Sequence, residues 1–198
     1  MLPVDLFRRP LFTLSALTAV CTFATQSLAF VSLPFYFESV LGRSAIETGF
    51  LITPWAVLVG IMAPIAGRLS DHYPPGLLGG IGLSVLSAGM VSLILMSPDV
   101  SVFGICWRMA VCGIGFGFFQ APNLRAIMSS APPERGGSAS GVVATSRLLG
   151  QASGAALVAF CFIISTQHGE TLALGLGAVF AAIASIASFM RLFVQQTK

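Results

Sequence analysis

Two arginines stand where arginines are costly. Arg108 and Arg147 lie inside long apolar runs, away from the other charges. An arginine at the centre of a membrane helix costs about 2.5–3.5 kcal/mol on insertion scales, so it turns to a cavity or a partner. Arg147 is followed at three, four and seven residues by Gly150, Gln151 and Gly154, which draws a polar, narrow stripe along one helical face. The stripe suits a helix lining a water-filled path. It equally suits close helix packing through small residues, Gly141, Gly150 and Gly154 among them, with Arg147 snorkelling to the nearer interface. Arg108 shares its face with Gly104, Cys112 and Gly115, and pairing with a backbone carbonyl, snorkelling and substrate contact all fit it. Gln26 and Gln120 add uncharged hydrogen-bonding groups that can orient a ligand or bridge helices.

A second polar cluster reads Gly67-Arg68-Leu69-Ser70-Asp71-His72-Tyr73-Pro74-Pro75-Gly76. This is a tight turn with an acid three residues from a base. Asp71 can cap the helix that follows or pair with a base on a neighbouring one, and Arg68 can reach helix C-termini. A solvated loop has the same composition.

Catalysis is not written into the chain. It has no glycine-rich phosphate loop and no His-Glu-x-x-His metal signature, so the sequence reads as that of a protein that is not an enzyme and needs no cofactor or metal. The four cysteines, Cys21, Cys106, Cys112 and Cys161, fall inside apolar runs without a Cys-x-x-Cys pair, the setting of buried, inert thiols. None of the seven acidic residues lies inside an apolar run, whereas a proton or cation site in a membrane calls for a buried carboxylate.

The elements that position these residues follow from composition. Of 198 residues, 56% are hydrophobic and 9% charged, with a mean hydropathy of +0.91. Soluble domains carry about 25% charged residues, so most of this chain has apolar solvent around it. The net charge of +3 comes from bases scattered one or two at a time, which is the pattern of membrane topology and not of nucleic-acid binding. A bilayer core needs about 20 helical residues to cross it, and six runs of that order occur: 11–33, 48–66, 77–96, 100–121, 138–165 and 171–190. Pro34 closes the first, Ser97-Pro98-Asp99 turns the third into the fourth, and 122–137 forms the longest connection. Arg8 and Arg9 ahead of an apolar stretch resemble the start of a signal peptide, but the stretch exceeds an h-region and reads as an uncleaved first span. The expected fold is all-α: one six-helix bundle spanning the inner (plasma) membrane and in contact with the lipid bilayer.

Charge sets the orientation. Arg8, Arg9, Arg68, Arg125, Arg135, Arg191 and Lys198 fall in the termini and the even connections, against Arg43 alone in the odd ones. Bases accumulate on the cytoplasmic side, so both ends are expected there, with His72 and His168 on opposite sides.

Three segments carry a resemblance. Gly67 to Asp71 looks like the second copy of a Gly-x-Leu-x-Asp signature, with His72 and Pro75 where bases would follow. Gly115-Phe116-Gly117-Phe118-Phe119-Gln120-Ala121-Pro122 looks like the end of a fourth helix. Gly136 to Leu157, with Gly141, Arg147, Leu149, Gly150 and Gly154, is similar to a run of Gly, Arg, Leu-Gly and Gly in the next helix. Together they resemble the C-terminal six-helix half of a major facilitator superfamily transporter, of the 14-helix drug/proton antiporter branch that exports quaternary ammonium compounds and methyl viologen. The resemblance implies a half-bundle of a multidrug efflux antiporter, inactive alone. Its partner would be an N-terminal half or a second copy, and its substrates amphipathic cationic small molecules. Substrate would sit between two halves that rock about it, with the coupling acids largely in the other half. The alternative is a non-transporting membrane subunit or scaffold that associates through its small-residue faces.

Overall fold

The computed structural model describes residues 4–97, 99–165 and 168–196. Pro98 and Lys198, used above, lie outside them. Six helices carry the chain: α1 Pro10–Phe35, α2 Ala45–Leu69, α3 Pro75–Ile94, α4 Val102–Ser130, α5 Gly136–Ile164 and α6 Gly169–Gln196. Each is long and apolar enough to cross a membrane.

Local chemistry sets their ends. Pro10 and Pro75 open α1 and α3 at positions where a missing N–H costs nothing. Ser44 and Glu47 form a capping box at the start of α2, each side chain bonded to the other's backbone N–H. The Ser101 hydroxyl accepts from the Gly104 N–H at the start of α4.

Two proline boundaries expected from the sequence are overturned. Pro34 does not close the first span: α1 runs through it to Phe35 and widens into a π turn, Tyr36–Val40, before Gly42 turns the chain at φ 62°. Nor does Pro122 end the fourth: α4 continues to Ser130, so the expected connection 122–137 shrinks to 131–135. A proline removes one helical hydrogen bond, and packed neighbours in a membrane bundle absorb that loss.

The helices pack in two linked sets. α1 lies between α5 and α6, α3 between α4 and α6, and α2 packs on α4. Hydroxyls and small residues hold the seams. Ser185 and Ser188 of α6 donate to the carbonyls of Gly80 and Gly76 on α3 at 3.0 Å each, and Ser87 returns a bond to the Ala178 carbonyl. The buried hydroxyls of Ser15, Thr18 and Thr22 in α1 instead donate four residues back along their own helix. The main core gathers Phe23, Trp55, Leu86, Met90, Met109 and Phe116 between α1, α2, α3 and α4. In an apolar 18-residue stretch of each, 17% of residues in α2 and 22% in α5 are buried, against 61% in the first span. These two helices therefore flank α1 and α4 with faces the described chain leaves uncovered.

Candidate functional site

The α1–α5 seam is built by glycine. A Cβ at Gly150 would come 2.5 Å from the Val20 carbonyl oxygen, and one at Gly154 would come 2.6 Å from that of Ala24. Their absence lets the two backbones touch, and the Ser27 hydroxyl donates across the seam to the Gln151 carbonyl at 2.9 Å. Gly141 differs from the packing expected of it, since a Cβ there would meet nothing within 4 Å. It lies beside a groove of about 710 Å³ bordered by Phe7, Leu17 and Leu149.

That close approach positions Arg147. Gly150 and Gly154 face α1 and are buried, whereas Arg147, on the edge of the same stripe, is exposed. Its guanidinium carbon sits 5.7 Å from the centre of the Phe23 ring, within the range of a cation–π contact. Together with Gln26, Ser27, Phe30, Val31 and Gln151 it lines a recess of about 330 Å³. Three of the residues singled out by type, Gln26, Arg147 and Gln151, are thus brought to one place. Arg147 is eleven residues into a 29-residue helix, close to its middle.

Behind the recess stands an aromatic wall. Phe23 meets Phe116 edge-on at 5.7 Å, Phe116 meets Trp55 at 6.3 Å, and Trp55 meets Phe30 edge-on at 5.2 Å. Trp55 is 1% exposed, and its indole N–H has no hydrogen-bond partner among the described residues. A buried donor of this kind is costly.

Arg108 and Gln120 do not join this site. Arg108 donates to the Ser92 carbonyl at 2.9 Å and to the Gly104 carbonyl at 2.5 Å, and stacks on Trp107 at 4.6 Å. Of its three readings, these contacts match pairing with backbone carbonyls. Gln120 is half-buried on α4 and does not line the recess.

At one end of the bundle the turn after α2 meets α4. Asp71 pairs with Arg125, which also donates to the Ser70 hydroxyl at 3.3 Å. Asp71 does not cap α3, whose N-cap is Pro74. Hydrogen bonding and charge from Arg125 hold the Asp71 carboxyl below the usual carboxylate range. Arg68 is exposed outside this pair, and Gly67 lies against Ala121, where a Cβ would find ordinary contact at 3.8 Å. Arg9 ties α1 to the same end by donating to the Ser130 carbonyl at 2.8 Å.

Sequence reasoning missed the most buried charge. Arg191, counted above among the charges of the chain end, is 0% exposed on α6. It donates to Asn123 Oδ1 at 2.8 Å and to Ser15 Oγ at 3.2 Å, while its Nε and Nη2 have no partner among the described residues. Asn123 in turn donates to the Ser15 carbonyl at 3.3 Å, so one node joins α1, α4 and α6. The signal was periodicity: Arg191 lies three residues from Ser188 and seven from Ala184, both on the buried face.

The carboxylates keep to the ends. Glu38 lies in the π turn, Glu47 and Glu170 in the first turns of α2 and α6, Asp71 and Asp99 in connections, and Glu134 just before α5.

Comparison with known proteins gives a consistent kinship. The chain is 50% identical over 192 residues to the uncharacterized transporter YebQ of Escherichia coli, a match covering 97% of this chain and 42% of that protein. It is 28% identical over 168 residues to the riboflavin transporter RibZ of Clostridioides difficile, covering 84% of this chain and 37% of RibZ. It is 28% identical over 160 residues to the multidrug resistance protein Stp of Mycobacterium tuberculosis, covering 80% and 29%. The chain thus spans less than half the length of these relatives. The family model of the Major Facilitator Superfamily matches residues 2–155, and with six membrane-length helices in place this multi-pass membrane protein belongs to the Major Facilitator Superfamily.

Proposed function

We propose that the chain is one six-helix unit of a two-unit membrane transporter, and that its α1–α5 seam borders the path taken by substrate. The observation that carries this reading is Arg147. It sits near the middle of a membrane-length helix, exposed and without a hydrogen bond or ion pair among the described residues. An arginine at that depth belongs on an aqueous or protein-facing side and not against lipid. Gln26 and Gln151 beside it make the same surface polar.

The reading extends to a C-terminal half of a proton-coupled drug efflux antiporter in the inner membrane, with both ends cytoplasmic. The skewed distribution of bases supports the orientation. A multidrug resistance protein among the relatives supports the substrate range. Partial coverage of every relative above supports the need for a second unit, an N-terminal half or a second copy. With the described carboxylates at helix ends, the coupling acid comes from that second unit. A scaffold role is disfavoured because Gly150 and Gly154 are already spent against α1.

The test is a Gln151→Cys variant treated with a membrane-impermeant maleimide in vesicles opened to both faces. Cys21, Cys112 and Cys161 are buried and Cys106 half-buried, so the unmodified chain provides the blank. Rapid labelling at 151 is expected; complete protection would place the seam in packing and defeat the proposal.

A further inference from the structure

The recess between α1 and α5 holds one fixed charge, and it is positive. Arg147 lies over the Phe23 ring, its guanidinium carbon 5.7 Å from the ring centre, and its N–H groups are the donors it brings to the recess. Those groups have no hydrogen-bond or ion-pair partner among the described residues. Gln26 and Gln151 add amide donors at the rim, and Phe30 supplies an aromatic wall backed by Trp55. The described carboxylates that could neutralise Arg147 lie at the ends of the helices.

These parts select one chemistry. A guanidinium presents a planar fork that matches a carboxylate in a bidentate pair, which a point charge does not. A cation placed here would meet a like charge at close range, which repels it. A flat ring suits the space beside Phe30, by stacking or edge contact. At about 330 Å³ the recess lies at the small end of ligand sites, which run from roughly 300 to 1,000 Å³.

We propose that the recess formed by Gln26, Phe30, Arg147 and Gln151 binds the anionic end of a planar aromatic substrate, an aromatic carboxylate in its simplest form, in preference to a quaternary cation. This rests on the seam being a substrate path. It departs from the cationic substrates implied by the sequence resemblance, because the charge this unit brings to the path is of the wrong sign for them.

The experiment uses Val31→Cys as a reporter, since Val31 lines the recess without contributing a polar group. Labelling by an impermeant maleimide is timed in membranes holding the full chain, alone, with 1-naphthoate, and with N-methylquinolinium, a cation of similar size. Naphthoate at ten times its dissociation constant is expected to slow labelling about tenfold, in proportion to occupancy. N-methylquinolinium is expected to have little effect, and Arg147→Gln to leave labelling intact while abolishing the protection by naphthoate. Equal protection by both ions, no protection by naphthoate, or protection that survives Arg147→Gln overturns the anion preference while the aqueous path stands. A Val31→Cys variant that never reacts removes the path itself, and the preference with it.

Discussion

Arg191 on α6 and Asn123 on α4 meet through a 2.8 Å hydrogen bond from Nη1 to Oδ1, at a point where the arginine is fully enclosed. Asn123 is itself 4% exposed and donates onward to α1. A buried charge held by neutral partners is sensitive to which partner is removed. Asn123→Leu leaves the guanidinium with Ser15 alone and is expected to cost about 2 kcal/mol, the worth of a hydrogen bond to a charged group. Arg191→Met removes the charge together with its desolvation cost and is expected to lose less, and the double variant is expected to recover most of the Asn123→Leu loss. Melting temperatures in detergent decide this. A double variant no better than Asn123→Leu would contradict the account.

The glycines of α5 are expected to differ sharply in what they tolerate. Gly150→Val drives a side chain into the α1 backbone and is expected to cost about 1–3 kcal/mol or more, because the atom it meets is a carbonyl oxygen at 2.5 Å that cannot swing aside. Gly141→Ala meets open space and is expected to be neutral or to stabilise by up to about 1 kcal/mol through helix propensity. The same melting assay separates them, and a similar loss at both positions would show that the seam is not what Gly150 protects.

Asp71 and Arg125 give a pH signature. The carboxyl is held below its usual range, so the pair's contribution is complete above the unfolded value of about 3.9 and is lost as pH falls through the lower folded value. Asp71→Asn is therefore expected to lower the melting temperature at neutral pH, and the gap to the parent chain is expected to close only in strong acid. Reversing both charges, Asp71→Arg with Arg125→Asp, is expected to restore part of the loss. A gap that closes already near pH 6 would point to another titrating group.

Legibility in the sequence differed from residue to residue. Six spans could be read because a run of apolar residues long enough for a bilayer leaves a strong signal. Their ends were less legible. Pro34 and Pro122 looked like stops, but tertiary packing overrode the local preference and both lie inside helices. The Ser44-Glu47 capping box, which the span reading did not use, places the start of α2 three residues before the expected span. At the site, spacing alone put Arg147 beside Gln151 on one helix, but only the α1–α5 contact brings Gln26 to them. Arg108 could not be assigned from spacing because its partners include a carbonyl sixteen residues away. Arg191 was misread because charge near a chain end looks solvated until the burial of its helix face is known.

The central claim is that this six-helix unit moves substrate only with a second unit, and transport by the chain alone tests it most directly. The chain is expressed in cells lacking their own efflux pumps, either by itself or joined to the part of YebQ that it does not match, and retention of one aromatic carboxylate and one aromatic cation is followed. The account predicts that the chain alone leaves retention at the level of the empty vector and that the joined protein lowers it. Export above vector by the chain alone, once shown to be monomeric, would contradict it.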